Sequence, residues 1–176
     1  MWLCRAHKTA LSSTIIYGGA TLNDIEKKLQ VLTDIAHGFN QDKVLWAVGA
    51  SLLLYFKGIS DTFHDIDIMV GEADIEKVKA RLLGMGQLAL PNPNMQYKTR
   101  HFLEFTIKGI DVDIMAGFVI VKDGKEYDCA LLPEQIAESI QLNGESIPLH
   151  SLQLWRHYYA LMGRTSKVEM IDRETH

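Results

Sequence analysis

The sequence predicts an α+β (α/β) fold in which a mixed central β-sheet is flanked by helices and followed by C-terminal helices. Two observations support this fold class. Apolar residues recur every three to four positions in some segments and every second position in others, and the two kinds of segment alternate along the chain. No internal repeat and no Pro/Gly-rich linker divides the 176 residues. A single compact domain is therefore expected.

The composition is that of an ordinary globular protein, with 47% hydrophobic and 23% charged residues and a net charge of −4. Cys4 and Cys129 belong to no CxxC motif or Cys/His cluster, so neither a disulfide framework nor structural zinc is expected, and a reducing cytoplasm is the expected location. The uncharged apolar stretch that includes Ala47 to Phe56 begins at Val44 and has 13 residues, fewer than the roughly 20 that a membrane helix needs. The acidity disfavours a broadly basic nucleic-acid surface but leaves a local basic groove open.

The first twenty residues resemble a targeting segment only in part. They carry Arg5 and Lys8, but no apolar block of signal-peptide length follows. We interpret residues 1–20 as an N-terminal extension and residues 21–176 as one domain that includes the C-terminal helical part.

The first half of that domain alternates between helix and strand. Its expected elements are a helix from Leu22 to a stop at Gly38, a strand at Lys43–Val48, an apolar helix at Ala50–Lys57, a strand at Phe63–Val70 and a helix at Ala73–Leu83.

The second half begins with a loop at Pro91 to Asn94. Two strand-like runs, Tyr97–Ile107 and Ile110–Ile114, follow and are joined by Lys108-Gly109, which predicts a β-hairpin. The last third is predicted to be helical, with segments near Pro133–Ile140 and Ser151–Met162. The aromatic residues of these helices and strands are assigned to the core, namely Trp46, Trp155, Tyr158 and Tyr159.

Two Asp-hydrophobic-Asp triplets carry the chemical information. Residues two apart in a strand point the same way, so Asp65 and Asp67 should lie side by side, as should Asp111 and Asp113. If the strands are neighbours, three or four carboxylates converge, and such a cluster suits Mg²⁺. The structural alternative is that the aspartates are simply solvated on the wet face of a sheet, although aspartate is disfavoured inside strands.

A small-residue turn lies upstream, at Val48-Gly49-Ala50-Ser51, between a predicted strand and a predicted helix. Small residues at such a junction let a phosphate approach the backbone N–H groups. They also permit close packing of strand against helix, and the sequence leaves both interpretations open.

The segment from Trp46 to Val70 resembles the nucleotidyltransferase superfamily of the DNA polymerase beta type. Val48-Gly49 matches the glycine motif, Asp65 and Asp67 between hydrophobic residues match the carboxylate pair, and Asp113 fits the third carboxylate better than Asp111. The layout is similar to small bacterial members, the lincosamide-type and abortive-infection-type nucleotidyltransferases. The helix and Gly-Arg turn near Gly163-Arg164 also resemble the end of many such domains. In this chain Ala50 departs from the motif, with the hydroxyl one residue later at Ser51.

The resemblance implies a magnesium-dependent transfer of a nucleoside monophosphate from an NTP to a hydroxyl of a small molecule, an RNA or a protein. Asp65, Asp67 and Asp113 would be the catalytic and metal-binding residues, holding two Mg²⁺ ions. Phosphate contacts are expected from Gly49, Ala50, Ser51 and Arg164. Further basic candidates are Lys57, Lys98, Arg100 and Lys167. For Lys57, Lys98 and Arg100 a surface charge or an ion pair is the favoured interpretation, and the alternative role of Lys167 is to stabilise the last helix.

Two alternatives belong to other classes. The chain could be a non-catalytic nucleotide- or partner-binding module with the same fold. It could also be a metal-dependent phosphohydrolase, because His64-Asp65 resembles the dyad of HD-type enzymes, although His64 should point away from Asp65 in a strand. A homodimer could complete the substrate cleft of so short a chain.

Overall fold

A computed structural model describes residues 16–17, 20–91 and 97–174. The helices are α1 (Leu22–Gln41), α2 (Ala50–Phe56), α3 (Ile75–Leu83), α4 (Leu152–Leu161) and α5 (Thr165–Glu174). The strands are β1 (Ile16–Tyr17), β2 (Ala20–Thr21), β3 (Trp46–Val48), β4 (Ile66–Val70), β5 (Gln87–Leu88), β6 (His101–Ile107), β7 (Ile110–Ala116), β8 (Val119–Lys122), β9 (Lys125–Asp128), β10 (Ile136–Leu142) and β11 (Glu145–His150).

The central sheet has seven strands in the order β10-β11-β3-β4-β7-β6-β5. Strand β4 runs parallel to β7, and β11 runs parallel to β3, while the other neighbours are antiparallel. Helices α1 and α3 contact each other and the sheet, and α2 contacts both β4 and α4. The predicted fold class, a mixed central sheet with flanking and C-terminal helices, is confirmed.

Helix α1 runs past the predicted stop at Gly38 and ends at Gln41. Gly38 serves packing instead, because a Cβ at this position would lie 2.8 Å from Nη1 of Arg81. The Arg81 side chain crosses the helix here, and its Nε donates a hydrogen bond to Asp42 Oδ2 at 2.6 Å. Lys43, with a φ of 53°, carries the chain out of the helical direction.

The predicted helix near Pro133–Ile140 is wrong. Only Pro133–Gln135 forms a single 3₁₀ turn, and the chain then enters strand β10, which pairs with β11 as a hairpin. The two-residue turn at Asn143-Gly144 has φ values of 48° and 86°, the left-handed pair that joins antiparallel strands tightly. The helix at Ser151–Met162 is confirmed as α4, with Ser151 Oγ accepting a hydrogen bond from Leu154 N.

Several predicted strands are shorter than expected. Strand β4 begins only at Ile66, so Asp65 and His64 precede it, and β6 begins at His101. The hairpin of β8 and β9, joined at Asp123-Gly124, was not predicted from the sequence. Most of the predicted loop at Pro91 to Asn94 lies outside the described residues.

No helix within the described ranges is both long enough and apolar enough to cross a membrane. The division into an extension at 1–20 and a domain at 21–176 stays a prediction, because most of the first twenty residues fall outside the described part of the chain.

Candidate active site

Three carboxylates meet where β4 and β7 run side by side. Asp67 lies directly opposite Asp113 in the parallel register, and Asp65 comes two residues earlier in the chain. One oxygen from each of the three half-buried side chains lies within 4.8 Å of the other two. Asp111 is outside this group: it pairs across the hairpin with Thr106, whose Oγ1 is 3.5 Å from Asp111 Oδ1. The structure therefore brings together Asp65, Asp67 and Asp113.

Asp67 and Asp113 bind a proton more tightly than an ordinary aspartate does. Burial, followed by the charges of Asp65 and Asp113, holds the pKa of Asp67 well above its usual range, while Arg164 opposes this. Burial raises the pKa of Asp113 to about 7, with further contributions from Asp65, Glu104 and Asp111. Three hard oxygen donors that resist ionising together match the chemistry of a divalent cation, which would neutralise them. The donor set thus fits Mg²⁺.

The turn between β3 and α2 lies beside the carboxylates, because the Gly49 amide donates a hydrogen bond to the backbone oxygen of Asp67 at 3.0 Å. Ala50 has a φ of 45°, a left-handed conformation that is unusual for a residue with a side chain. A Cβ on Gly49 would lie 2.7 Å from Trp155 Nε1, so this position needs glycine for packing. The packing interpretation therefore holds for Gly49, whereas Ala50 and Ser51 open onto the site.

A cavity of about 1050 Å³ joins the turn to the carboxylates. Besides Ala50, Ser51 and the three aspartates, the lining includes the basic residues Arg164 and Lys167. Further lining residues come from β6, β7 and the C-terminal helices, among them Tyr97, Arg100, Phe102, Glu104, Met115, Trp155 and Tyr159. Of the residues predicted for the site, only Gly49 lies behind the cavity wall.

The predicted basic residues divide into two groups. Lys57, Lys98 and Arg100 each form an ion pair with a glutamate, at 2.5–2.6 Å. Arg164 forms no such pair within the described residues, and its Nη2 donates instead to the Tyr97 hydroxyl at 3.3 Å. Arg164 therefore keeps its charge available to a ligand in the cavity.

Two features of the site were missed. Glu104 lies opposite Asp113 on β6 and lines the cavity. The tight turn at Lys108-Gly109 fixes this register, so the hairpin predicted from the sequence already implied it. His64 also lines the cavity beside Asp65, contrary to the prediction that it points away, because the regular strand begins only at Ile66.

The four aromatic residues assigned to the core are buried, which confirms that prediction. Two of them, Trp155 and Tyr159, are 2% and 1% exposed yet also line the cavity. Their rings lie 5.6 Å apart, between centroids, on α4. Trp155 and Tyr159 are thus core residues that also contact the site.

No protein-family model matches the sequence, and no curated protein matches it either. Solved structures do match. A protein of Thermotoga maritima, TM1012, described as a "putative nucleotidyltransferase", is 26% identical, with a TM-score of 0.68 over 85% of this chain and 93% of that one. ANT(2″)-Ia in complex with adenylyl-2″-tobramycin is 11% identical, with a TM-score of 0.57 over 85% of this chain and 90% of that one.

The lincosamide antibiotic adenylyltransferase LnuA, in a lincomycin-bound structure, is 13% identical, with a TM-score of 0.56 over 84% of this chain and 96% of that one. At such identities the two antibiotic-modifying proteins show a shared fold alone. Together with TM1012 they confirm the resemblance drawn from the sequence: the chain has the fold of the nucleotidyltransferase superfamily.

Proposed function

We propose that the chain is a magnesium-dependent nucleotidyltransferase, which moves a nucleoside monophosphate from an NTP to a hydroxyl acceptor and releases pyrophosphate. The observation that carries the proposal is the group of Asp65, Asp67 and Asp113 on adjacent strands of this fold. Carboxylates on rigid strands hold a metal site more precisely than carboxylates on loops.

In this proposal Asp65 and Asp67 would hold two Mg²⁺ ions, and Asp113 would be a further ligand of one of them. When bound, Mg²⁺ neutralises the charge of the triphosphate and of the transition state. Asp113 also accepts the proton of the acceptor hydroxyl as that oxygen attacks the α-phosphorus. The remaining catalysis is positioning of the acceptor and the nucleotide by the walls of the cavity.

The phosphate contacts are assigned to the turn and to the end of α4. Ala50 and Ser51 line the cavity, and the buried Ser51 hydroxyl has no hydrogen-bond partner among the described residues. Gly49 precedes them in the turn. Arg164 supplies a positive charge that no described carboxylate neutralises, and Lys167 lies nearby on the same cavity wall.

A small molecule is the acceptor that the cavity favours. A volume of about 1050 Å³ is that of a ligand pocket. ANT(2″)-Ia and LnuA hold an adenylylated antibiotic and an antibiotic respectively. RNA and protein acceptors, a bacterial cytoplasmic location, ATP as the nucleotide and a homodimer stay predictions from the sequence.

The test is calorimetric binding of each of the four NTPs, with and without Mg²⁺. We expect Mg²⁺-dependent binding to the wild type and its loss in Asp67→Asn, because one of the carboxylates that would hold the metal is removed. Asp111→Asn is the matched control: it removes an aspartate of β7, the strand that carries Asp113, but this aspartate lies outside the cluster, and the variant should bind as the wild type does.

Equal binding by wild type and Asp67→Asn would contradict the proposal. Binding that ignores Mg²⁺ would instead indicate the non-catalytic module. An assay of the released product separates the remaining alternative, since a phosphohydrolase would release orthophosphate where a nucleotidyltransferase releases pyrophosphate in the presence of an acceptor.

A further inference from the structure

Helix α4 turns two polar aromatic residues toward the cavity. Trp155 and Tyr159 are four residues apart and so lie on the same face of the helix. Both line the cavity that contains the three carboxylates. Tyr158 is not among the residues that line it, and its ring packs against His150 and Phe118. One face of α4 is therefore part of the site.

The indole nitrogen of Trp155 is a buried donor with no hydrogen-bond partner among the residues that the structure describes. The Ser51 hydroxyl, which lines the same cavity, is in the same situation. An unpaired buried donor is unfavourable, and packing of a ring does not by itself require an N–H group. Packing against Gly49 thus explains the ring of Trp155 but not its N–H group.

The hydroxyl of Tyr159 lies in the same electrostatic environment. After burial, the charges that act on it most are those of Asp67, which raises its pKa, and Arg164, which lowers it. Tyr159 lines the same cavity as the three carboxylates and Arg164. A neutral O–H at this point is placed to donate to a ligand.

The chemistry of these groups selects an anion. The Trp155 indole can only donate, and its N–H has no partner among the described residues. Arg164 is a cation whose described hydrogen bond goes to the Tyr97 hydroxyl and not to a carboxylate, and the three aspartates of the cavity suit a metal. A suitable ligand offers oxygen acceptors to the Trp155 indole and to Arg164. It also binds a metal ion that the carboxylates can bind at the same time. A phosphate chain bound with Mg²⁺ has both properties.

We propose that the Trp155 indole N–H and the Tyr159 hydroxyl donate hydrogen bonds to the phosphates of the bound nucleoside triphosphate, opposite Ser51. Helix α4 is then the second wall of the phosphate site. This inference rests on the proposed function. Trp155 Nε1 is buried beside Gly49, so the proposal requires the turn at Gly49–Ser51 to shift locally when the phosphates bind.

The direct test follows the indole N–H resonances of the ¹⁵N-labelled protein during addition of Mg²⁺ and inorganic tripolyphosphate. Loss of one resonance in Trp155→Phe assigns the Trp155 signal. We expect that signal to move downfield on binding. The indole of Trp46 is an internal reference, since it already donates to Asn40 Oδ1 at 3.2 Å, and its resonance should stay in place.

The affinity test compares two neighbouring tyrosines. Tyr159→Phe removes a hydroxyl at the cavity and should weaken binding of Mg²⁺-tripolyphosphate about tenfold, as expected for a lost hydrogen bond to a charged group. Tyr158→Phe removes a hydroxyl from an equally buried ring outside the cavity, and its affinity should equal that of the wild type.

The outcomes separate the inference from the function on which it rests. One outcome is that the wild type binds Mg²⁺-tripolyphosphate and Asp67→Asn does not. If the Trp155 resonance then stays in place and Tyr159→Phe keeps the wild-type affinity, only the proposed role of α4 is wrong. If the wild type itself fails to bind Mg²⁺-tripolyphosphate and every NTP, the proposed function is overturned and the inference falls with it.

Discussion

Asp113 shows how a single side chain can oppose folding in order to build a site. It lies beside Asp65, Glu104 and Asp111, and burial together with these charges raises its pKa to about 7. In the unfolded chain the same carboxyl titrates near 3.8. The folded state therefore holds a proton that the unfolded state releases, and this contribution to stability is lost as the pH rises from about 4 through 7.

The first prediction at this scale concerns Asp113→Asn in metal-free solution. The variant removes the penalty of ionising Asp113, so it should be more stable than the wild type at pH 8 by about 1–2 kcal/mol, a value discounted for the partial exposure of the site. The difference should shrink toward zero near pH 4. Urea denaturation at several pH values measures it, with Asp111→Asn as the control, for which we expect a smaller gain.

At the scale of the elements, β10 and β11 form a hairpin in a segment for which a helix is predicted. The sequence was interpreted as helical near Pro133–Ile140, yet it carries Asn143-Gly144, the dipeptide typical of a two-residue hairpin turn. The apolar residues of β10 also fall at alternate positions, at Ile140 and Leu142, and both are half-buried. The Asn-Gly dipeptide and this alternation both indicate a β-hairpin rather than a helix.

The prediction at this scale is that Gly144→Ala destabilises the fold by about 1 kcal/mol, because a Cβ is strained at a φ of 86°. Gly144→Asn should cost less, since asparagine tolerates the left-handed region better than alanine does. Thermal or urea unfolding measures both. Equal stability of the alanine variant and the wild type would show that the turn does not hold this conformation in solution.

For the whole molecule, the carboxylate cluster links ligand binding to stability. Strands β4 and β7 are central in the sheet, so a metal that joins Asp65, Asp67 and Asp113 binds the folded chain and not the unfolded one. Any such ligand stabilises the fold in proportion to its free concentration over its dissociation constant.

The prediction at this scale is that Mg²⁺ with an NTP raises the melting temperature, and that EDTA reverses the rise. At 100 times the dissociation constant the gain is about 2.7 kcal/mol, which is several degrees for a chain of this size. Asp67→Asn should show no rise, and Asp111→Asn should show the full one. A rise of equal size in Asp67→Asn would place the ligand elsewhere.

The sequence by itself determined the fold class, the helical and strand periods of most elements, and the proximity of Asp65 to Asp67, because these depend on side-chain spacing within one segment. It also implied the pairing of Glu104 with Asp113 through the Lys108-Gly109 turn. Only the tertiary structure decided that Asp113, and not Asp111, joins the pair, since the register of two parallel strands depends on the packing of the core around them.

The position of α4 against the cavity was also decided by the tertiary structure. Period and composition placed Trp155 and Tyr159 in the core, but they could not show that this core borders a cavity. Neither could they show that Gly49 is small because an indole ring lies against it, or that Gly38 accommodates Arg81. Contacts of this kind join residues far apart in the chain, and no local preference of either residue encodes them.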